Sequence, residues 1–216
     1  MTAGLTRREL LGVGTVLMVG AAAGVTTACA SKDAEKPEAP TWAFGEEGAM
    51  GARVLVGYAT KTGSTAGVAR RIGEVLGERG LRVDVRPMAQ TKSLDGYDMV
   101  IVGSAVNGGA WLPEAIGFVE QHGQALRALP VAAFCVHILN AGDSQGAATR
   151  RMAYLDNVRS IVEPIEEAFF LGKGPDKDAN LFTRLAFRAF GGAGEGDCRD
   201  WDAISEWARA LRMRYP

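Results

Sequence analysis

The chemistry-bearing residues of this chain sit in one short run, Thr60-Lys61-Thr62-Gly63-Ser64-Thr65. Hydroxyls and one glycine stand between an apolar, β-branched stretch and the start of a helical pattern. Backbone N–H groups at a helix start lack intrahelical partners, and the helix dipole favours an anion beside them. Gly63 lets the main chain approach such an anion without a side-chain clash. Thr60, Thr62, Ser64 and Thr65 can donate hydroxyl hydrogen bonds to its oxygens. The run reads as a phosphate cradle that needs no fixed positive charge, with Lys61 as an optional cation. A plain helix cap is the alternative for a Ser/Thr/Gly turn of this kind. No GxxxxGK[ST] sequence and no GxGxxG occurs, so triphosphate and dinucleotide fingerprints are absent. Gly191-Gly192-Ala193-Gly194-Glu195-Gly196 follows a helix-like segment and reads as a loop.

Other site chemistries are thinly represented. Only His122 and His137 occur, which makes a histidine-built metal site improbable. Cys29, Cys135 and Cys198 are odd in number and widely spaced, with no CxxC pair and no disulfide framework. The formal net charge is −1, and 47% of the 216 residues are hydrophobic. That balance suits a globular core and argues against a nucleic-acid binder, which carries a basic excess.

The elements that must position the cradle begin near Arg53. Val54-Leu55-Val56-Gly57-Tyr58 reads as a strand buried on both faces. Val68, Ile72, Val75 and Leu76 recur at helical spacing, and Gly80 closes that helix. Leu81–Val85 alternates, so the second strand is half-exposed and placed at a sheet edge. Met99–Gly103 and Val131–Val136 are the third and fourth strands, and Ala168–Leu171 a short fifth. Pro113 can open a helix whose inner face holds Ile116, Phe118 and Val119. A further helix is expected from about Ala147 to Val162, and a last one over 200–214 with Trp201, Ile204, Trp207 and Leu211. Strands alternating with helices imply a doubly wound parallel sheet of five strands, order 2-1-3-4-5, with helices on both faces. Residues 172–196 form an insertion, in which Leu181, Leu185, Phe187 and Phe190 suggest a short amphipathic helix. Two more loops at strand ends should complete the site, Ser104–Trp111 and His137–Asp143. His137 reads as a strand residue with a satisfied hydrogen bond, and Asp143 as an equally plausible helix cap.

Residues 1–30 differ from the rest. Arg7 and Arg8 precede an apolar run from Leu10 to about Val25, short for a membrane span. Thr6-Arg7-Arg8-Glu9-Leu10-Leu11 resembles a twin-arginine export signal, with an ordinary secretory signal as the alternative. Small-residue cleavage after Ala30, lipidation of Cys29 or an uncleaved anchor remain open at its end. Residues 31–50 carry few apolar groups and are expected to form a flexible tether. The domain then covers 51–216, and the mature protein is expected outside the cytoplasm, with the cytoplasmic face of the membrane as the alternative. Association with a membrane surface would run through the leader or a lipid on Cys29.

The motif Thr60-x-Thr62-Gly63-x-Thr65, directly after the first strand, resembles the FMN-phosphate loop of flavodoxins. That resemblance implies FMN as cofactor and a flavodoxin-like fold. It also implies that the loop Ser104-Ala105-Val106-Asn107-Gly108-Gly109-Ala110-Trp111 passes along the isoalloxazine ring. Trp111 would stack on that ring or serve as a core aromatic. Asn140 and Gly142 would meet the pyrimidine edge. Ser104–Phe118, Val131–Leu139 and the tail Leu185–Gly192 with Asp200-Trp201-Asp202 resemble the menaquinone-dependent protoporphyrinogen oxidase branch. Val106-Asn107 stands where that branch has an aromatic and basic pair, and the insertion is less basic.

Two functional classes follow. One is an FMN oxidoreductase passing electrons between an organic reductant and a quinone-type acceptor. The other is an exported electron carrier that docks with redox partner proteins. Carriers of this kind tend to be strongly acidic, and the near-neutral charge tips the reading toward the enzyme. No catalytic acid or base stands out.

Overall fold

The computed structural model describes residues 39–46, 51–175, 185, 187, 189 and 191–212. The leader, residues 31–38 of the expected tether, and Leu181 and Phe190 of the insertion lie outside the described residues.

Strand β2 (Arg53–Ala59) is the centre of the sheet, buried along almost its whole length. Its alternation assigns side chains to two separate cores, as strand geometry requires. Val54, Val56 and Tyr58 face one, and Leu55 and Ala59 the other. From its carboxyl end the chain enters α1 (Ser64–Glu78), which buries Val68, Ile72, Val75 and Leu76. Gly80, at φ +82°, turns the chain into β3 (Arg82–Pro87). The chain then crosses to the other side of β2 and forms β4 (Met99–Asn107), parallel to it. Next come β5 (Ala110–Trp111), α2 (Pro113–Gln121), α3 (Gly123–Arg127) and β6 (Val131–His137). Pro113 occupies the first turn of α2, where its missing N–H costs nothing.

The parallel part of the sheet runs β3-β2-β4-β6-β7, with β7 (Glu166–Leu171) at its far edge. This is the expected order 2-1-3-4-5. The final helix, α6 (Trp201–Ala210), packs beside α1 and starts at Asp200, whose carboxylate accepts from the Asp202 and Ala203 amides.

Four expectations need correction. First, two short antiparallel strands join the five expected parallel ones. Trp42–Phe44, within the stretch expected to be a tether, form β1 and pair antiparallel with β3. Second, β3 is therefore not the edge strand. Helix α1 presents Gly73 and Gly77 to this addition, and a Cβ on either would lie 2.9 or 2.7 Å from Phe44. The Tyr58 hydroxyl donates to the Pro40 carbonyl at 2.5 Å, and Trp42 packs on the Tyr58 ring. Apolar contact of Trp42 and Phe44 with β2 and α1 thus orders this short run within an otherwise polar stretch.

Third, the loop after β4 is a tight β-hairpin. Asn107 pairs with Ala110 and Val106 with Trp111 across Gly108 and Gly109, at φ +63° and +86°. Two consecutive residues with positive φ match the strand twist of a two-residue hairpin turn. Fourth, the expected helix over 147–162 is broken into α4 (Gln145–Met152), a 3₁₀ turn (Ala153–Leu155) and α5 (Asp156–Arg159). The tighter turn delivers Tyr154 and Leu155 into the core beneath β6.

Candidate functional site

Every loop expected to carry chemistry emerges at the carboxyl edge of the parallel sheet. The Thr60–Gly63 loop leaves β2 at the point where the chain switches direction, between neighbours β3 and β4. Open α/β sheets bind ligands in the crevice at such switch points.

The loop has the features of an anion cradle. Gly63 is the N-cap of α1 and adopts the left-handed conformation, φ +86° and ψ −10°. That geometry, rather than lack of space, explains the glycine, because a Cβ there would meet nothing within 4 Å. The Gly63 amide donates to the Thr60 hydroxyl oxygen at 3.0 Å, which folds the loop back on itself. Helix α1 has no side-chain cap and no acidic residue in its first turn. Its leading amides are therefore left for an external acceptor. Lys61, Thr62 and Gly63 are exposed, so the turn is open to solvent. Ser64 and Thr65 are buried behind it, and the Thr65 Oγ1 has no hydrogen-bond partner. A buried hydroxyl without a partner costs about 1–3 kcal/mol, so a ligand oxygen that satisfies it has a ready-made role.

A residue that sequence reasoning missed supports this turn. Arg199, just before α6, reaches back 135 positions and donates from Nη1 to the Ser64 carbonyl at 3.4 Å. Its approach requires Gly67, where a Cβ would lie 2.3 Å from that nitrogen. Arg199 also stacks on Trp201 at 4.3 Å and pairs with Asp197 at 2.5 Å. The Arg199 hydrogen bond holds the Asp197 carboxyl down to about 2. The ion pair largely neutralises Arg199, so it acts as a tie between distant chain segments more than as a free charge. No local sequence pattern signals so long a reach.

The remaining predicted site residues divide. Ala105 and Val106 are half-buried on β4, and Asn107 and Gly108 are exposed at the hairpin, on the same sheet edge as the cradle. Ser104 is fully buried. Its hydroxyl donates to the Ala105 carbonyl at 2.9 Å and accepts from the Leu112 amide at 3.1 Å. It is spent on holding the hairpin base and does not reach outward. Trp111 does not offer a stacking face. It is 3% exposed, lies in the core beneath β6, and donates its ring N–H to the Cys135 Sγ at 3.0 Å. Burial pushes the Cys135 thiol up to about 12, which makes it an inert core residue.

Asn140 also departs from expectation. It has φ +58°, and its side-chain amide is committed inward, donating to the Tyr154 hydroxyl at 2.6 Å and accepting from Arg150 Nε at 3.0 Å. The Asn140 and Gly142 carbonyls both accept from Arg151 Nη1, at 2.5 and 2.7 Å. These contacts fasten the β6–α4 loop and engage one N–H and the oxygen of the Asn140 amide. His137 is buried at the end of β6, its Nδ1 2.8 Å from the Leu139 carbonyl, and burial lowers its pKa. Among the described residues no cluster of His, Cys, Asp or Glu could hold a metal ion.

A doubly wound parallel sheet with an uncapped, threonine-lined helix start at its switch point defines a nucleotide-phosphate-binding α/β domain. The flavodoxin domain family matches residues 55–195, and the chain belongs to that family. Similar solved structures include the flavodoxin of Streptococcus pneumonia TIGR4 (17% identity, TM-score 0.46, covering 73% of this chain and 96% of that one). Oxidised flavodoxin 1 from Bacillus cereus is another (15%, TM-score 0.45, covering 74% and 100%), as is a flavodoxin from the domain Archaea (16%, TM-score 0.41, covering 73% and 99%). Likeness this distant decides nothing about activity. A search of the curated proteins found no match.

FMN is the cofactor of flavodoxin domains, and the residues present fit it. The orphaned Thr65 hydroxyl, the uncapped α1 amides and the open turn suit a phosphomonoester. Thr60, Thr62, Gly63, Ser64 and Thr65 are the residues that would hold that phosphate. Bound FMN supplies the redox chemistry, while the protein supplies binding, orientation and electrostatics.

Proposed function

We propose that this FMN-binding electron-transfer protein is an oxidoreductase that passes electrons from an organic reductant to a quinone-type acceptor. The FMN reading is carried by one observation, the buried Thr65 hydroxyl left without a partner behind an open, uncapped helix start. The choice of enzyme over carrier is supported by the near-neutral charge, which offers little electrostatic steering toward a protein partner. A protoporphyrinogen-oxidase-like activity rests on resemblance at Ser104–Phe118, at Val131–Leu139 and in the tail, Leu185–Gly192 with Asp200-Trp201-Asp202.

The tests are direct. Purified protein should be yellow, or should take up FMN while discriminating against riboflavin, which has the same ring and no phosphate. A colourless protein that rejects both removes the redox assignment. In stopped-flow experiments the reduced protein should be reoxidised faster by soluble naphthoquinones than by one-electron protein acceptors. The opposite ranking makes it a carrier.

The leader supports a second part of the proposal, export of the folded protein by the twin-arginine route to the outer face of the membrane. Replacing Arg7 and Arg8 with lysine should retain the protein inside the cell, and unimpeded export excludes that route.

A further inference from the structure

The committed Asn140 side chain has a consequence on its far side. Beyond it lies a half-open groove of about 590 Å³, between the β6–α4 loop and residues Ala189 and Gly191. Its apolar wall is formed by Leu139, Ala147 and Ala189. Leu139 is 39% exposed, a large apolar side chain left uncovered at this wall. Among the described lining residues Arg150 is the one charged side chain, and none is a carboxylate.

Arg150 is positioned by a chain of bonds. Its Nε donates to the Asn140 Oδ1 at 3.0 Å, and the Asn140 Nδ2 is anchored on the buried Tyr154. The φ of +58° at Asn140, uncommon outside glycine, sets this orientation, and Arg151 pins the same loop through two carbonyls. With Nε occupied, the two terminal nitrogens form no bond among the described residues. They present the planar edge that matches a carboxylate with two parallel hydrogen bonds. Among the described lining residues a metal cation or an amine would meet a like charge and no carboxylate. A half-open groove of this size, with a mixed polar and apolar lining and one oriented cation, falls within the range of small-molecule sites, about 300–1,000 Å³.

We propose that this groove binds a small organic acid, an apolar body bearing one carboxylate that Arg150 receives. Asn140 is then a positioning residue acting through Arg150. The site is distinct from the phosphate cradle of the Thr60–Thr65 loop, and its occupancy does not require that FMN be bound.

The probe is 2-naphthoate, titrated into the full-length protein with and without saturating FMN and followed by its own fluorescence. The neutral analogue 2-naphthalenemethanol serves as the comparison. Saturable binding is expected, about fivefold tighter for the acid, the scale of one partly solvated ion pair. Arg150→Gln, a surface change, should erase that preference while FMN affinity, read separately from the flavin absorbance, stays the same. Ala189→Trp should fill the groove and block both probes. The proposal is overturned by the absence of saturable binding, by equal affinity for acid and alcohol, or by a preference that survives Arg150→Gln. Displacement of FMN by naphthoate also overturns it, because the groove would then be part of the flavin site. Failure of the FMN reading alone would show as missing flavin absorbance with naphthoate binding intact.

Discussion

Thr65 shows how a binding residue can be a liability in the empty protein. Its hydroxyl is buried and unpartnered, so Thr65→Val removes an unsatisfied polar atom at nearly constant shape. Urea denaturation of the FMN-free protein should show the variant to be equally stable or more stable by up to about 1 kcal/mol. FMN affinity, read by flavin fluorescence quenching, should fall about tenfold, the loss of one good hydrogen bond to a charged group. A variant with lower apo stability and unchanged affinity would make Thr65 a core residue. His137 carries a pH signature. Burial lowers its pKa below the ordinary 6.5, so the folded protein favours the neutral imidazole. Below about pH 6.5 the unfolded chain takes up a proton that the folded chain resists, so the His137 contribution is present above that value. It is lost as pH falls toward the lowered folded value. Stability measured between pH 7 and 5 should therefore decline, and His137→Gln should flatten that decline.

At the scale of elements, the sheet is held by contacts that leave no room for change. Gly103 on β4 lies against the Phe134 ring of β6, where a Cβ would come within 2.0 Å. Both strands are central and fully buried there, so neither can yield. Gly103→Ala should destabilise the protein by about 3 kcal/mol or more, at the upper end of overpacking costs, seen as a lowered denaturation midpoint. Unchanged stability would mean that Phe134 has an alternative rotamer available. Strand β1 belongs to the same scale. By pairing with β3 it covers a sheet edge that would otherwise present unpaired backbone groups. Phe44 reaches Gly73 and Gly77 on α1, so a sheet and a helix share one addition.

For the molecule as a whole, cofactor and fold are linked by mass action. A ligand bound only by the folded state adds about 2.7 kcal/mol at one hundred times its Kd. For a domain of this size that raises the midpoint by about 5–10 °C. Thermal melts should show this shift with FMN and a much smaller one with riboflavin at equal concentration, since the cradle addresses the phosphate. Equal shifts would move the binding energy from the loop to the ring contacts. The two cores lie on opposite faces of the sheet, one under α1 and α6 and the other under α2, and share its strands. A ligand at the carboxyl edge therefore touches the ends of the elements that join both.

The sequence by itself determined the parallel strands and the cradle. Val54–Tyr58, Met99–Gly103 and Val131–Val136 are continuous apolar runs, and a fully buried strand has little choice but to look that way. The Thr60–Thr65 turn was legible because its requirement is local, a glycine at positive φ with hydroxyls around a helix start. Tertiary structure alone decided the rest. Trp111 could have stacked on a ligand or filled the core, and only the hairpin across Gly108–Gly109 turned it inward onto Cys135. The orientation of Asn140 is set by Tyr154 and Arg150, ten and more residues away, which hold its side-chain amide. Arg199 reaches Ser64 through a gap that exists because Gly67 lacks a side chain. Strand β1 forms because β3 offers Trp42–Phe44 an edge and the α1 glycines offer Phe44 a groove. In each case the deciding energy lies between residues far apart in the chain, where local propensity and spacing carry no record of it.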